Sequence, residues 1–301
     1  MDGDSLLEAA ARAPSALRAQ VRRWRADGLR VALTPTMGAL HEGHLSLLTL
    51  ARAQADRVVA SLFVNPTQFG PGEDFDAYPR DTPSDAALLA QAGCDLLYLP
   101  NPGAMYPPGF ATEVQVTGLT ERLCGAARPG HFDGVAQVVT KLLNQAEANV
   151  AVFGEKDWQQ LAVIRRLAAD LDIPTQILGA PTLREPDGLA LSSRNRYLTQ
   201  TERAAAPTLH AALQEAAAAL RAGAAAEAAC AAARARIEAA GFAQVDYVEA
   251  LDGRSLGALG DLAAGRVFGA ARLGKARLID NIAISPQAAT PPRASDGGGR
   301  G

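Results

Sequence analysis

Apolar positions along the chain fall into short unbroken runs set between longer stretches of helical spacing. Val31-Ala32-Leu33, residues 57–64, 94–99, 149–153 and 175–178 are runs of the first kind. They have no polar alternation, which predicts strands buried on both faces. Between the first two, residues 45–50 read as a helix, so strand, helix and strand recur within about thirty residues, the signature of a parallel βαβ unit. Further helices are predicted over 84–92 and 134–146. In the second, Val135, Val138, Val139, Leu142 and Leu143 share one face, with Asp133 as the N-cap. Leu6, Leu7, Leu17, Val21 and Trp24 among charges predict one ordinary first helix, and the alternation over 113–116 predicts an edge strand or ribbon.

The pattern changes after residue 182. Residues 199–240 are Ala-rich and helical with Gly223 between two helices, and 244–251, 266–272 and 276–284 then read as strands. Only a short connection joins the last two, so they are expected antiparallel. The expected class is α/β: a Rossmann-like parallel sheet with helices on both faces over 1–182, then a smaller α+β domain with an antiparallel sheet over 183–286. Residues 287–301 are Pro, Gly, Ser and Arg without an apolar pattern and are expected disordered.

Composition narrows the function classes. A hydrophobic share of 48% over 301 residues suffices for one large core or two moderate ones. A net charge of −3 excludes a broad basic surface for nucleic acid. No apolar run reaches the length of a membrane span. The three cysteines, Cys94, Cys124 and Cys230, are widely spaced, which fits a reducing, cytoplasmic setting better than a disulfide framework or zinc ribbon.

The candidate chemistry begins at P-T-M-G-A-L-H-E-G-H, residues 35–44. A strand, a turn broken by Pro35 and Gly38, and a helix opening near Gly43 would present unpaired N–H groups and the positive end of a dipole to an anion. His41 and His44 could donate to phosphate oxygens there. The zinc reading is weak, since H-E-G-H lacks the spacing of H-E-x-x-H, and there is no Walker loop. At the end of the second strand, N-P-T-Q-F-G leaves Asn65 and Gln68 either at a ligand crevice or in a plain turn facing water. Lys156 in G-E-K-D-W-Q-Q-L is either a phosphate point charge or a solvated lysine. Ser192, Ser193 and Arg194 suit phosphate oxygens, or lead into a helix.

Together, PTMGALHEGH, FVNPTQFG, DAYPR, RPGHFDGV, FGEKDWQQL, DGLALSSRNRYL and ARLGKARLIDNIAI resemble the pantoate–β-alanine ligase family, over about residues 15–285. The family lies in the nucleotidylyltransferase-like Rossmann superfamily with its H-x-G-H signature. The resemblance implies ATP binding by Met37, Gly38, Ala39, Leu40, His41, Glu42, Gly43 and His44, by Gly154, Glu155, Lys156 and Asp157, and by Leu183, Leu191, Ser192, Ser193 and Arg194. It implies pantoate contacts from Gln68 and Gln160, with Asn65 added from its place beside them, and a β-alanine contact from Gln68. His44 matches the family's proton donor, with His41 and Lys156 beside it in the catalytic set. A homodimer using Mg²⁺ is also implied. Gln137 stands where threonine is common, and 81–88 is less acidic than in some relatives, so no protein ligand for the metal is named. Two rivals remain at this point: a nucleotidylyltransferase that stops after transferring a nucleotide, and a non-catalytic nucleotide sensor. A sensor would have no reason to hold Asn65, Gln68 and Gln160 together.

Overall fold

The computed structural model describes residues 2–73 and 75–285, so the expectation for 287–301 lies outside the described residues. Five strands, β1 (Val31–Thr36), β2 (Arg57–Leu62), β3 (Leu96–Tyr98), β4 (Val150–Gly154) and β5 (Gln176–Ala180), form one sheet in the order β3-β2-β1-β4-β5. All four pairings are parallel. The period-2 geometry of a strand divides its side chains between two cores. Val31 and Leu33 enter one together with Phe153, Leu142 and Leu161. Ala32 enters the other with Leu48, Val58, Val150 and Leu6. This two-sided burial is why the strands carry no polar alternation.

Three antiparallel strands, β6 (Gln244–Asp252), β7 (Gly265–Leu273) and β8 (Ala276–Ala283), make the second sheet. One face packs on the helices Thr208–Arg221 and Ala226–Ala239, through Val267, Ala271, Leu213 and Ile237. The other supplies Tyr247, Leu251, Phe268 and Ala270 to the first core. The two sheets therefore share one apolar interior across the cleft.

Three local expectations are corrected. Residues 113–116 have no regular secondary structure and no ladder partner among the described residues. Their alternation comes from Val114 and Val116 turning toward the core while Glu113 and Gln115 face solvent. The helix expected at 134 begins at His131, because Gly130 takes a left-handed φ of 79° as its N-cap, and Asp133 falls in the first turn. The N-terminal segment forms two helices, Gly3–Glu8 and Pro14–Ala26, the second opening on Pro14.

Candidate active site

The strand order reverses direction at β1, whose neighbours are β2 and β4, and ligands of such sheets bind at the carboxyl ends beside that switch point. Beyond Thr36 the chain turns through Gly38 (φ 88°) and Ala39 (φ 51°), both left-handed. Asp85, buried in the helix Thr82–Gln91, accepts hydrogen bonds from the N–H of Ala39 at 3.0 Å and Leu40 at 2.8 Å. A Cβ on residue 38 would come within 2.8 Å of that carboxylate, so Gly38 meets both the conformational and the spatial demand. Burial raises the Asp85 pKa, against the lowering effect of these two donors.

The turn delivers the chain into the helix Glu42–Gln54 with His41 as its N-cap. His41 Nδ1 accepts from Gly43 N at 3.1 Å, and His44 Nδ1 accepts from His41 N at 3.4 Å. A Cβ on Gly43 would lie 2.8 Å from the His41 ring, so glycine lets the imidazole cross the helix opening. The ring centroids are 4.2 Å apart. Burial, then the charges of Lys156 and Arg196, lower His41 to about 4. Burial, then His41 and Lys156, lower His44 to about 3. Both rings are thus neutral at pH 7, and since each Nδ1 accepts, each proton sits on Nε2, away from the helix backbone.

Gln68 ends a single 3₁₀ turn, Pro66–Gln68. Its Nε2 reaches Met37 Sδ at 3.0 Å. Asn65 holds the turn from within: Nδ2 donates to Gln68 Oε1 at 3.2 Å and to Gly134 O at 3.0 Å. Its Oδ1 accepts from Tyr106 Oη at 2.8 Å and from Thr67. Every donor and acceptor of this amide, 1% exposed, is engaged inside the protein. Gly134 permits the arrangement, because a Cβ there would lie 2.3 Å from Thr67 O and 2.6 Å from Gln68 Cα.

These elements enclose a cavity of about 250 Å³. It brings together Met37, His41, Gly43, His44, Asn65 and Gln68 from the first half of the predicted set. Gly154, Lys156, Asp157 and Gln160 join from the β4 end, and Leu183, Leu191, Ser192, Ser193 and Arg194 from the next crossing. Gly38, Ala39 and Leu40 shape the turn instead, and Glu42 opens the helix. Glu155 turns to a shallower hollow with Arg266 and Asn281. A second cavity of about 440 Å³ lies between the two sheets and shares Lys156, Asp157, Gln160, Ser192 and Arg194 with the first.

The motifs RPGHFDGV and DAYPR support the family resemblance, but no role was expected of their residues. Arg128 and His131 line both cavities, and Tyr78 lines the smaller. His131 donates from Nδ1 to Gln68 O at 2.8 Å, so its Nε2 accepts from Arg128 Nη1 at 3.0 Å. Burial, then Arg128, lower it to about 4, leaving it neutral. The available signal was an arginine and a histidine three apart around a Pro-Gly turn at a helix opening. Asp85 had no comparable signal, since its partners are backbone N–H groups 45 and 46 residues away.

The chain is also similar to known proteins over most of its length. A family model for pantoate-beta-alanine ligase matches residues 9–283. The chain is 60% identical over 276 residues to a pantothenate synthetase of Paramagnetospirillum magneticum, covering 91% of this chain and 97% of that one. It superposes on the crystal structure of pantothenate synthetase from Thermus thermophilus with a TM-score of 0.86 and 46% identity, covering 92% and 99% of the two chains. It also resembles the Francisella tularensis pantoate-beta-alanine ligase complexed with beta-gamma ATP and beta-alanine, at a TM-score of 0.77 and 34% identity, covering 91% and 97%. By sequence and by structure, this chain belongs to the pantoate–β-alanine ligase family.

Proposed function

We propose that this ligase forms pantothenate in two steps within the paired cavities, through a pantoyl adenylate. In the first, the pantoate carboxylate attacks the α-phosphorus of ATP, and the bond to the bridging oxygen breaks to release pyrophosphate. The carboxylate is already ionised, so this step needs no general base. It needs preorganised donors against the charge that develops on the phosphates. Lys156, Arg194, Ser192 and Ser193 supply these, with the Nε2–H groups of His41 and His44. The neutral state of His44 suits a hydrogen-bond donor. A bound polyphosphate would oppose the effects of burial and of Lys156 on that ring, and so draw it toward the proton-donor role the family resemblance implies.

Gln68 and Gln160 take pantoate's hydroxyls and carboxylate, because neutral amides bind them without repelling the nucleotide. Asn65 acts through Gln68, with its own hydrogen-bonding groups already engaged. In the second step the amine of β-alanine, in its uncharged form, attacks the acyl carbon and AMP leaves. The smaller unit from residue 183 onward closes the cleft against water, which would hydrolyse the adenylate. No group of three or more metal-binding side chains exists among the described residues. Mg²⁺ brought with the nucleotide would have Asp157, which lines the cavity, as its nearby carboxylate. Bound there, the ion would neutralise phosphate charge. A homodimer in the cytoplasm completes the reading. No helix among the described residues is long and apolar enough to cross a membrane.

The observation that carries the proposal is a single cavity holding both phosphate donors and the Gln68–Gln160 pair. Isotope exchange of pyrophosphate into ATP tests it. Exchange should require pantoate and proceed without β-alanine. Exchange that required β-alanine would end the two-step scheme. A nucleotide sensor would show none, and a nucleotidylyltransferase would ignore pantoate.

A further inference from the structure

Asn281 lies on β8 in the second sheet, yet its side chain is spent on the first. Its Nδ2 donates to the carbonyl oxygens of Glu155 at 2.9 Å and Lys156 at 3.0 Å. Its Oδ1 accepts from Arg266 Nε at 2.7 Å, which fixes which end of the amide faces the carbonyls. Arg266 is itself placed by Trp158, whose ring lies 3.6 Å beneath the guanidinium, and Trp158 donates to Gly253 O at 2.6 Å. Asn281 is 3% exposed and Arg266 5%. The carbonyls it grips belong to the 3₁₀ turn Glu155–Asp157, for which no side-chain cap is present.

We infer that Asn281 is a positioning residue for the nucleotide step: it fixes from the second sheet the turn that aims Lys156 at the phosphates. A 3₁₀ turn has poor internal hydrogen bonds, so an outside donor bridging two successive carbonyls restricts its backbone more than its own bonds do. A lysine on a flexible stem works as a phosphate contact only from a fixed base. The bridge also joins the two sheets at the site, so movement of the second sheet is passed to Lys156 through two hydrogen bonds. The inference rests on the phosphate role proposed for Lys156.

The test is a double-mutant cycle of Asn281→Ala and Lys156→Ala, with ATP and adenosine affinities measured by equilibrium titration. Asn281→Ala should weaken ATP about tenfold, the size of one lost hydrogen-bonded contact, and leave adenosine nearly unchanged. In the Lys156→Ala background it should cost ATP nothing further, because the group it positions is gone. Additive losses, or equal losses for ATP and adenosine, would overturn the inference. So would a fall in melting temperature with the ATP-to-adenosine ratio preserved. If Asn281→Ala does not fold, Asn281→Leu, of similar volume and without donors, takes its place in the cycle. If Lys156→Ala alone leaves ATP affinity intact, the phosphate role of Lys156 fails, an outcome distinct from failure of the bridge.

Discussion

The Glu73 carboxylate lies across the Arg128 guanidinium in a two-point pair, Nε to Oε1 and Nη2 to Oε2, each at 2.6 Å. Both side chains are largely shielded, Arg128 at 20% and Glu73 at 25% exposure. Burial alone would raise the Glu73 pKa, but the bonds and charge of Arg128 more than offset it, so the net shift is downward. The fork of Arg128, which lines both cavities, is thereby filled by a carboxylate from the protein itself.

β-Alanine carries a carboxylate of the same shape, and a bidentate fork accepts one carboxylate at a time. Glu73→Gln should therefore lower the KM for β-alanine several-fold and leave the KM for ATP unchanged, a difference of roughly 1 kcal/mol for a partly shielded pair. Steady-state kinetics with each substrate varied would check this. A raised KM for β-alanine would mean that Glu73 instead holds Arg128 in its working position.

Asp85 carries a larger stake in stability. Asp85→Ala leaves the N–H groups of Ala39 and Leu40 buried without partners, beside an Ala39 already in the left-handed region. At about 1–3 kcal/mol for each unsatisfied group, a total loss of about 2–6 kcal/mol is expected in urea unfolding. Turnover should fall further than stability alone explains, because the same turn places His41 and His44. Pyrophosphate exchange measured well below the melting temperature separates the two effects.

Gly134→Ala tests the close approach beneath Gln68. Its new methyl would meet backbone, Thr67 O and Gln68 Cα, which cannot rotate aside as a side chain would. An overpacking cost of about 1–3 kcal/mol is expected, with a rise in the KM for pantoate larger than that for ATP. Equal rises would show that the displacement spreads beyond the Gln68 turn.

Much of the frame was legible because burial on both faces writes itself as unbroken apolar runs, as at Val31-Ala32-Leu33 and 149–153. The phosphate loop was legible because glycines and histidines cluster within ten residues. Residues 113–116 misled because one-sided burial of Val114 and Val116 has the same period as a paired strand. Asp85 and Asn281 escaped for a common reason: each acts on groups far away in the chain, Asn281 across 125 and 126 residues. The covering of the second sheet was only half visible. Tyr247 and Phe268 belong to the first core, and no local pattern marks which of two cores an apolar side chain will enter.

Acid should destabilise the fold through its buried imidazoles. His41 and His131 are lowered to about 4 and His44 to about 3, from an ordinary value of 6.5, with burial as the largest cause in each. As pH falls through about 6.5 the unfolded chain takes up protons at these positions while the folded chain does not, so the unfolded state is favoured. Stability should therefore fall progressively between about pH 6.5 and 4, at up to about 1.4 kcal/mol per pH unit for each histidine. Apart from Asp85, whose raised pKa acts in the opposite sense, carboxylates contribute little between about pH 6.5 and 5, so the urea midpoint over that interval reports mainly on the imidazoles. Replacing His44 with Gln should flatten the slope by about one proton's worth. The ring Cε1–H resonances of the three histidines should not titrate above about pH 5 in the free enzyme, and polyphosphate should move the His41 and His44 midpoints upward. A midpoint near the ordinary value of about 6.5 for either ring in the free enzyme would show it to be solvated, and the neutral Nε2–H donor would have to be abandoned.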